Sequence, residues 1–96
     1  MSLRLVIADA AQHDLLELWV GIAEHNTRAA DETVGRMQQV AKLLCTQPEM
    51  GVLRPDLLPN IRCFPVGNHL IVYHLAGDVL AIDRILDGRR DPSSPL

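Results

Sequence analysis

The stretch IRCFPVGNHLIVYHLAGDVLAIDRIL, residues 61–86, decides the fold because it contains three β-prone runs separated by two short turns. The runs are residues 61–66, 69–75 and 79–86, and the connections GN and AGD have the chemistry that joins antiparallel neighbours. Pro65 has no N–H for a ladder, so the first run lies at a sheet edge or ends early. The last two runs are apolar on both alternations, as expected for strands covered on more than one side. The stretch predicts a three-stranded meander.

Two helices are predicted upstream, after a β-prone run at residues 3–8. Asp9, with Gln12 three residues later, has the pattern of a helix N-cap with its reciprocal partner. The dipeptide HN ends the first helix, and Thr27 is the predicted cap of the second. Apolar residues recur at helical spacing along both segments. The predicted core positions are Ala11, Leu15, Leu18, Trp19, Ile22 and Ala23 on the first helix, and Ala30, Val34, Met37, Ala41 and Leu44 on the second.

Residues 47–60 contain three prolines and a glycine that break all periodicity, so they are predicted to form a connecting loop. The element order is therefore β-α-α-β-β-β. This is an α+β fold in which a helical hairpin packs on one face of a small, mainly antiparallel sheet. A single domain accounts for residues 1–96, with an irregular tail at about 91–96.

The composition narrows the class of protein. No run approaches the ~20 apolar residues of a membrane span, and no export signal is visible, so we expect a cytoplasmic protein. Cys45 and Cys63 are expected to be reduced thiols that fill the core. The four histidines are too scattered for a metal site, and no phosphate-binding loop or nucleophile motif occurs. We therefore expect no metal, no cofactor and no catalytic residues.

The net charge of −3 is unevenly distributed. The first 53 residues contain four cations and seven acidic residues, whereas the remainder contains five arginines and five aspartates. Binding to nucleic acid mainly through phosphate neutralisation is disfavoured by this balance. The end of the last run nevertheless offers a local positive patch at Arg84, Arg89 and Arg90.

Several residues, taken in order, resemble the pattern of the ParE toxin family. In the predicted first helix the matching positions are Asp14, Leu15, Leu18, Trp19, Ile22 and Ala23. The segment QPEMG at residues 47–51 is similar to a Pro-x-x-Gly loop of that family. The later matching positions are Arg62, Gly67, His69, Tyr73, Ile82, Arg84 and the closing Gly88, Arg89 and Asp91. The resemblance covers about residues 3–91.

The resemblance implies a toxin of the ParE/RelE superfamily of type II toxin–antitoxin systems. ParE-like members inhibit DNA gyrase by binding, without an active site of their own, and a ParD-like antitoxin neutralises them. We therefore expect a non-enzymatic growth inhibitor that forms a hetero-oligomer with its antitoxin.

RelE-like relatives provide the alternative, a ribosome-dependent mRNA endonuclease that uses a basic cluster and a tyrosine. By approximate alignment, Cys63, Leu70 and Leu96 stand near the places of those groups. RNA cleavage needs a proton acceptor, a proton donor and cations at the phosphate, so these replacements disfavour it. A non-toxic relative that only binds the antitoxin is a third possibility.

The expected contact residues follow from the same resemblance and from the charge pattern. Arginine is enriched at interfaces because its planar group makes several directed hydrogen bonds. The candidate target-binding residues are Arg62, Arg84, Arg89 and Arg90. The alternative for these arginines is a solvated network with Asp83, Asp87 and Asp91, and Asp87 stands where the family usually has histidine. The candidate antitoxin-binding residues, which lie outside the helical core stripes, are Leu16, Val20 and Leu43.

Overall fold

The computed structural model describes residues 2–87, which form two helices and five strands. In chain order the elements are β1 (Arg4–Ile7), α1 (Asp9–Ala23), α2 (Thr27–Thr46), β2 (Val52–Leu53), β3 (Ile61–Val66), β4 (His69–Ala76) and β5 (Val79–Asp87). The strands form one sheet in the order β1-β5-β4-β3-β2. The predicted α+β fold is confirmed.

The predicted meander forms the centre of this sheet. β3 and β4 are antiparallel, as are β4 and β5, and the turns between them contain Gly67 and Gly77 with φ near +60°. Glycine adopts that backbone conformation without steric cost, which explains why these two turns are tight. β1 then joins the outer side of β5 in parallel, and the helical hairpin follows β1 in the chain, before β2, β3 and β4. Pro65 lies beyond the two-residue pairing with β2, at the sheet edge as predicted.

The main core lies between the hairpin and one face of the sheet. Its fully buried large side chains are Tyr73, Leu44, Ile71, Leu80 and Ile82. Of the eleven predicted helical core positions, five are buried and six are half-buried; the buried ones are Ala11, Ala30, Met37, Ala41 and Leu44. A smaller cluster on the opposite face contains Ile61, Cys63 and Val72, and Leu57 from the preceding loop packs against it. Both faces of the central strands are therefore covered.

Both predicted helix caps are wrong by one residue. Ala8 precedes α1 without a side-chain cap, and the Gln12 side chain donates instead to the carbonyl of Ile7 at 2.9 Å. The helix begins directly after β1, so Asp9 is already helical. Asn26, in an extended conformation, caps α2 by accepting a hydrogen bond from the N–H of Ala29 at 3.1 Å. Thr27 is consequently the first helical residue rather than the cap.

The segment predicted to be an irregular loop contains a strand of two residues. Val52 and Leu53 pair with Cys63 and Arg62, and the N–H of Arg54 donates to the carbonyl of Ile61 at 2.8 Å. Backbone hydrogen bonding does not depend on the periodicity of the side chains. An edge strand of only two residues therefore leaves no pattern in the sequence.

Tyr73 holds the turn after α2 against the core. Its hydroxyl donates to the carbonyl of Pro48 at 2.8 Å and accepts from the N–H of Gly51 at 2.9 Å. Burial raises the pKa of this hydroxyl, so it stays protonated and able to donate. The Arg62 guanidinium adds a 2.8 Å hydrogen bond to the carbonyl of Gly51. One buried phenol and one arginine therefore fix the turn.

Substitutions at this turn test its role in stability. Tyr73→Phe leaves the buried N–H of Gly51 and the part-buried carbonyl of Pro48 without this partner, and it is expected to lower the free energy of unfolding by about 1–3 kcal/mol. Gly51→Ala is expected to cost a similar amount or more, because the new Cβ would lie 2.7 Å from Cε1 and 2.9 Å from Cζ of Tyr73. The measurement is urea unfolding of each variant.

Gly21→Ala is the matched control, because the Cβ would have nothing within 4 Å and the residue lies inside α1. It is expected to stabilise the protein by about 0.5–1 kcal/mol. Equal unfolding midpoints for wild type, Tyr73→Phe and Gly51→Ala would contradict the role given to this turn.

Candidate interaction sites

A single carboxylate joins α1 to the last strand. β1 ends at Ile7, which pairs with Ile82, so the rest of β5 has no strand on that side. Asp14 fills this place: its Oδ2 accepts from the N–H of Ile85 at 2.9 Å and from Nε of Arg84 at 2.8 Å. Its Oδ1 accepts from Nη2 of Arg84 at 2.9 Å. The arrangement is a bidentate carboxylate–guanidinium pair with an added backbone donor.

The pair is asymmetric in its exposure to solvent. The Asp14 side chain is 10% exposed, whereas that of Arg84 is 50% exposed. The hydrogen bonds from Arg84, helped by the one from Ile85, lower the pKa of Asp14 below its usual value despite burial. The same contact raises the pKa of Arg84. Arg84 is thus a cation held in one orientation with half of its side chain open to a partner.

The other predicted target-binding residues have different surroundings. Arg62 is half-buried and donates to the carbonyls of Gly51 and Glu49, so its visible role is to hold the turn. In the ladders, Arg62 pairs with Tyr73 and Arg84 pairs with Val72, the preceding residue of β4. Adjacent strand positions face opposite sides of a sheet, so Arg62 and Arg84 do not form one patch. Arg89 and Arg90 lie outside the described residues.

The alternative of a solvated aspartate network does not hold for Arg84, because its partner is Asp14 and not Asp83. Asp83 instead contacts Nδ1 of His74 through its Oδ2 at 2.7 Å, with both side chains about one third exposed. This pair was not predicted from the sequence. A β-bulge between Val72 and Tyr73 shifts the register of β5, and a strand register shift is not readable from hydrophobic alternation.

The His74–Asp83 pair borders an apolar cavity of about 650 Å³ on the sheet face opposite the helices. Its other lining residues are Leu57, Leu58, Pro59, Asn60, Ile61, Val72 and Arg84. A histidine oriented by a carboxylate beside an arginine has the groups needed for proton transfer next to an anion.

The predicted antitoxin-binding residues are all exposed. Leu16 is 59% exposed, Val20 is 45% and Leu43 is 44%. Leu16 and Val20 are one turn apart on the same face of α1. The indole N–H of Trp19 donates to Asp31 at 2.8 Å, which places these two levels of the antiparallel hairpin side by side. Leu43 is twelve residues further along α2, or about 18 Å, so it does not join the other two.

Among residues 2–87, no three His, Cys, Asp or Glu side chains are grouped so as to hold a metal ion. Cys45 and Cys63 are buried thiols, and desolvation raises the pKa of Cys45. Over the same range, neither helix has the length and hydropathy required to cross a bilayer.

The fold is shared with chains from toxin–antitoxin complexes. A chain of the chromosomal ParDE system from P. aeruginosa superposes with a TM-score of 0.76 and 19% identity, covering 90% of this chain and 96% of that one. A chain of the RelBE2 toxin–antitoxin complex from Mycobacterium tuberculosis gives a TM-score of 0.63 and 15% identity, covering 91% and 99%. At these identities the likeness concerns the fold.

The sequence itself identifies the family. Residues 5–92 match the family described as the ParE toxin of the type II toxin–antitoxin system parDE. Toxin ParE3 of Caulobacter vibrioides is 31% identical over 94 residues, which span 97% of this chain and 94% of that protein. The chain belongs to the ParE toxin family, as its sequence pattern predicted.

The Asp14 contact makes stability depend on pH in a defined direction. A carboxylate whose pKa is lowered by folding stabilises the protein above its unfolded pKa of about 3.9, and this contribution is lost as pH falls through the lower folded pKa. Asp14→Asn should therefore destabilise the protein by about 1–3 kcal/mol near neutral pH, because the amide N–H₂ of asparagine cannot accept from Arg84. The measurement is urea unfolding of both proteins between about pH 7 and pH 2.

The difference between wild type and Asp14→Asn should shrink as pH falls below about 4. Asp78→Asn, at an exposed aspartate of the β4–β5 turn, is the control and should behave like wild type. A constant difference across the whole pH range would contradict the assignment to Asp14 ionisation.

Proposed function

We propose that this protein inhibits DNA gyrase by binding it, and that a ParD-like antitoxin holds it inactive. The observation that carries the proposal is the match to the ParE toxin family over residues 5–92, together with the near full-length similarity to Toxin ParE3. Inhibition by binding requires a surface of fixed shape and charge, with no acid or base.

Arg84 fits the centre of such a surface. Its guanidinium is anchored to Asp14 through Nε and Nη2, while half of the side chain stays exposed. An arginine that is already ordered loses less conformational entropy when a partner binds. We propose that the target-contacting patch begins at Arg84 and continues through Arg89 and Arg90, which follow in the sequence. Arg62 contributes through the turn that it stabilises.

At one position near the proposed target-contacting patch, this chain differs from the usual family pattern. Asp87, which ends β5 and is exposed, stands where histidine is usual in the family. A carboxylate there adds negative charge to a segment of sequence that otherwise contributes arginines, and negative charge weakens attraction for acidic groups of a target. We therefore expect Asp87 to affect the strength of inhibition.

A specific observation favours a second candidate, the RNA endonuclease. The His74–Asp83 pair beside Arg84 provides a proton-transfer group and a cation on one surface. Against it, a net charge of −3 gives little general attraction for RNA. Cleavage would require His74, whereas binding to gyrase would not, so the two activities are separable by substitution. A non-toxic relative would show neither activity.

The antitoxin partner is inferred from the toxin–antitoxin systems to which chains of similar fold belong. The two similar structures are described as a ParDE toxin–antitoxin system and a RelBE2 toxin–antitoxin complex. We propose a ParD-like partner for this chain on that basis, bound as a hetero-oligomer. The exposed residues Leu16, Val20 and Leu43 remain the proposed contacts.

The test is a comparison of wild type, Arg84→Lys and His74→Ala, purified without antitoxin. Wild type should block gyrase supercoiling and accumulate cleaved gyrase–DNA complexes. Arg84→Lys keeps the charge but loses the planar fork, so inhibition should fall by roughly tenfold or more. His74→Ala should inhibit gyrase like wild type, and circular dichroism checks that both variants fold.

Ribosome-bound mRNA is assayed in parallel with the same three proteins. Wild type should leave it intact. Cleavage of mRNA that His74→Ala abolishes, with gyrase unaffected, would contradict gyrase inhibition and establish the second candidate. Normal growth on expression of wild type, with both assays negative, would indicate the non-toxic relative.

A further inference from the structure

The exposed side of α1 combines apolar and acidic residues on one surface. We call α1 outer face the set Asp9, His13, Leu16, Glu17, Val20 and Glu24, of which Glu24 is the C-cap; all six are exposed. At 100° per residue these six fall within a sector of about 100° on the helix, centred opposite the buried side. Leu16 and Val20 are its two apolar residues; Leu16 lies at one edge of the sector, and Glu24 and Glu17 lie toward the other edge.

The α1 outer face is negatively charged. The helix Asp9–Ala23 contains neither lysine nor arginine, and its last turn has no basic residue. The negative end of the helix dipole, close to Glu24, is therefore not offset within the helix. His13 contacts Glu17 at 2.9 Å, and this is the single basic side chain of α1. The described cations of the hairpin, Arg28, Arg36 and Lys42, all belong to α2.

The negative charge of the α1 outer face determines which kind of partner can bind there. A nucleic acid backbone would be repelled by the acidic residues. A second copy of the chain, placed face to face, would bring like charges together. An amphipathic segment with aliphatic residues and flanking lysines or arginines matches both the apolar and the acidic residues of the face.

The α1 outer face also adjoins Arg84. Glu17 lines a cavity of about 240 Å³ together with Asp14, Leu18, His69, Ile85 and Asp87. Asp14, one turn before Leu18, holds Arg84 on that side of the helix. Glu17 is the member of the α1 outer face closest to Asp14 on the helical wheel, and its charge acts on Arg84. A segment that pairs a cation with Glu17 would therefore approach Arg84 from that edge of the face. It would obstruct access to the proposed target-contacting patch.

We propose that the α1 outer face binds a basic amphipathic segment of the antitoxin, which packs aliphatic side chains on Leu16 and Val20 and pairs lysines or arginines with Glu17 and Glu24. This inference rests on the proposed function, because the occupant is the antitoxin. Neutralisation is then direct: the bound segment and gyrase compete for adjacent surfaces of the toxin. The antitoxin sequence should contain two aliphatic residues three or four positions apart, flanked by cations.

The experiment uses the full-length chain and the antitoxin encoded beside it. Dissociation constants are measured for wild type, the double variant Leu16→Ser/Val20→Ser, and Glu17→Lys, at low and at physiological ionic strength. The double variant should bind at least tenfold more weakly, since two apolar contacts are lost. Glu17→Lys should also bind more weakly and should flatten the dependence of affinity on salt. Unchanged affinity of both variants would overturn the proposal.

Val52→Ser is the matched control, because Val52 is 67% exposed on β2 at the far edge of the sheet. It should bind the antitoxin like wild type, and an equal loss of affinity in this control would also overturn the proposal. A gyrase assay without antitoxin separates this test from that of the proposed function. The double variant should still inhibit gyrase, and adding antitoxin should relieve its inhibition less than that of wild type.

Failure of wild type to inhibit gyrase would contradict the proposed function and leave the antitoxin-binding result to decide this proposal by itself. Antitoxin that binds wild type without relieving its inhibition of gyrase would overturn the competition between the two partners.

Discussion

The Asp14 carboxylate is the contact that joins the helical hairpin to the second half of β5. It replaces a missing strand by accepting the N–H of Ile85, and it fixes the guanidinium of Arg84 in two further hydrogen bonds. A largely buried carboxylate is tolerated because it is paired and fully hydrogen-bonded. One residue of α1 therefore sets both the docking of the helix on β5 and the orientation of the proposed target contact.

Much of the fold follows from local pattern. Residues 61–86 form the predicted meander because glycine turns and apolar alternation act over a few residues, and the helical core positions follow from a period of 3.6. The caps at Ala8 and Asn26 were mispredicted by one residue, since neighbouring residues compete for the same backbone donors. The strand at Val52–Leu53 was missed because it depends on pairing with β3 and not on its own sequence.

The contacts at the candidate interaction sites were harder to predict from the sequence than the fold. The exposure of Leu16 and Val20 follows from their place on a helical wheel, and family resemblance drew attention to Arg84. The partner of Arg84 is 70 residues away in sequence, and the His74–Asp83 pair depends on a β-bulge. Both are products of tertiary register, which a single sequence does not encode in any local pattern. What Arg84 contacts, and which surface it belongs to, required the three-dimensional structure.

Asp14 therefore lies between the half-exposed guanidinium of Arg84 and the acidic, exposed side of α1. Amide hydrogen exchange at Ile85 tests this arrangement most directly, because the N–H of Ile85 donates to the Asp14 carboxylate and not to a neighbouring strand. The account predicts protection of this amide comparable to that of the paired amides of β4 and β5. Exchange at the rate of an exposed, unbonded amide would contradict it.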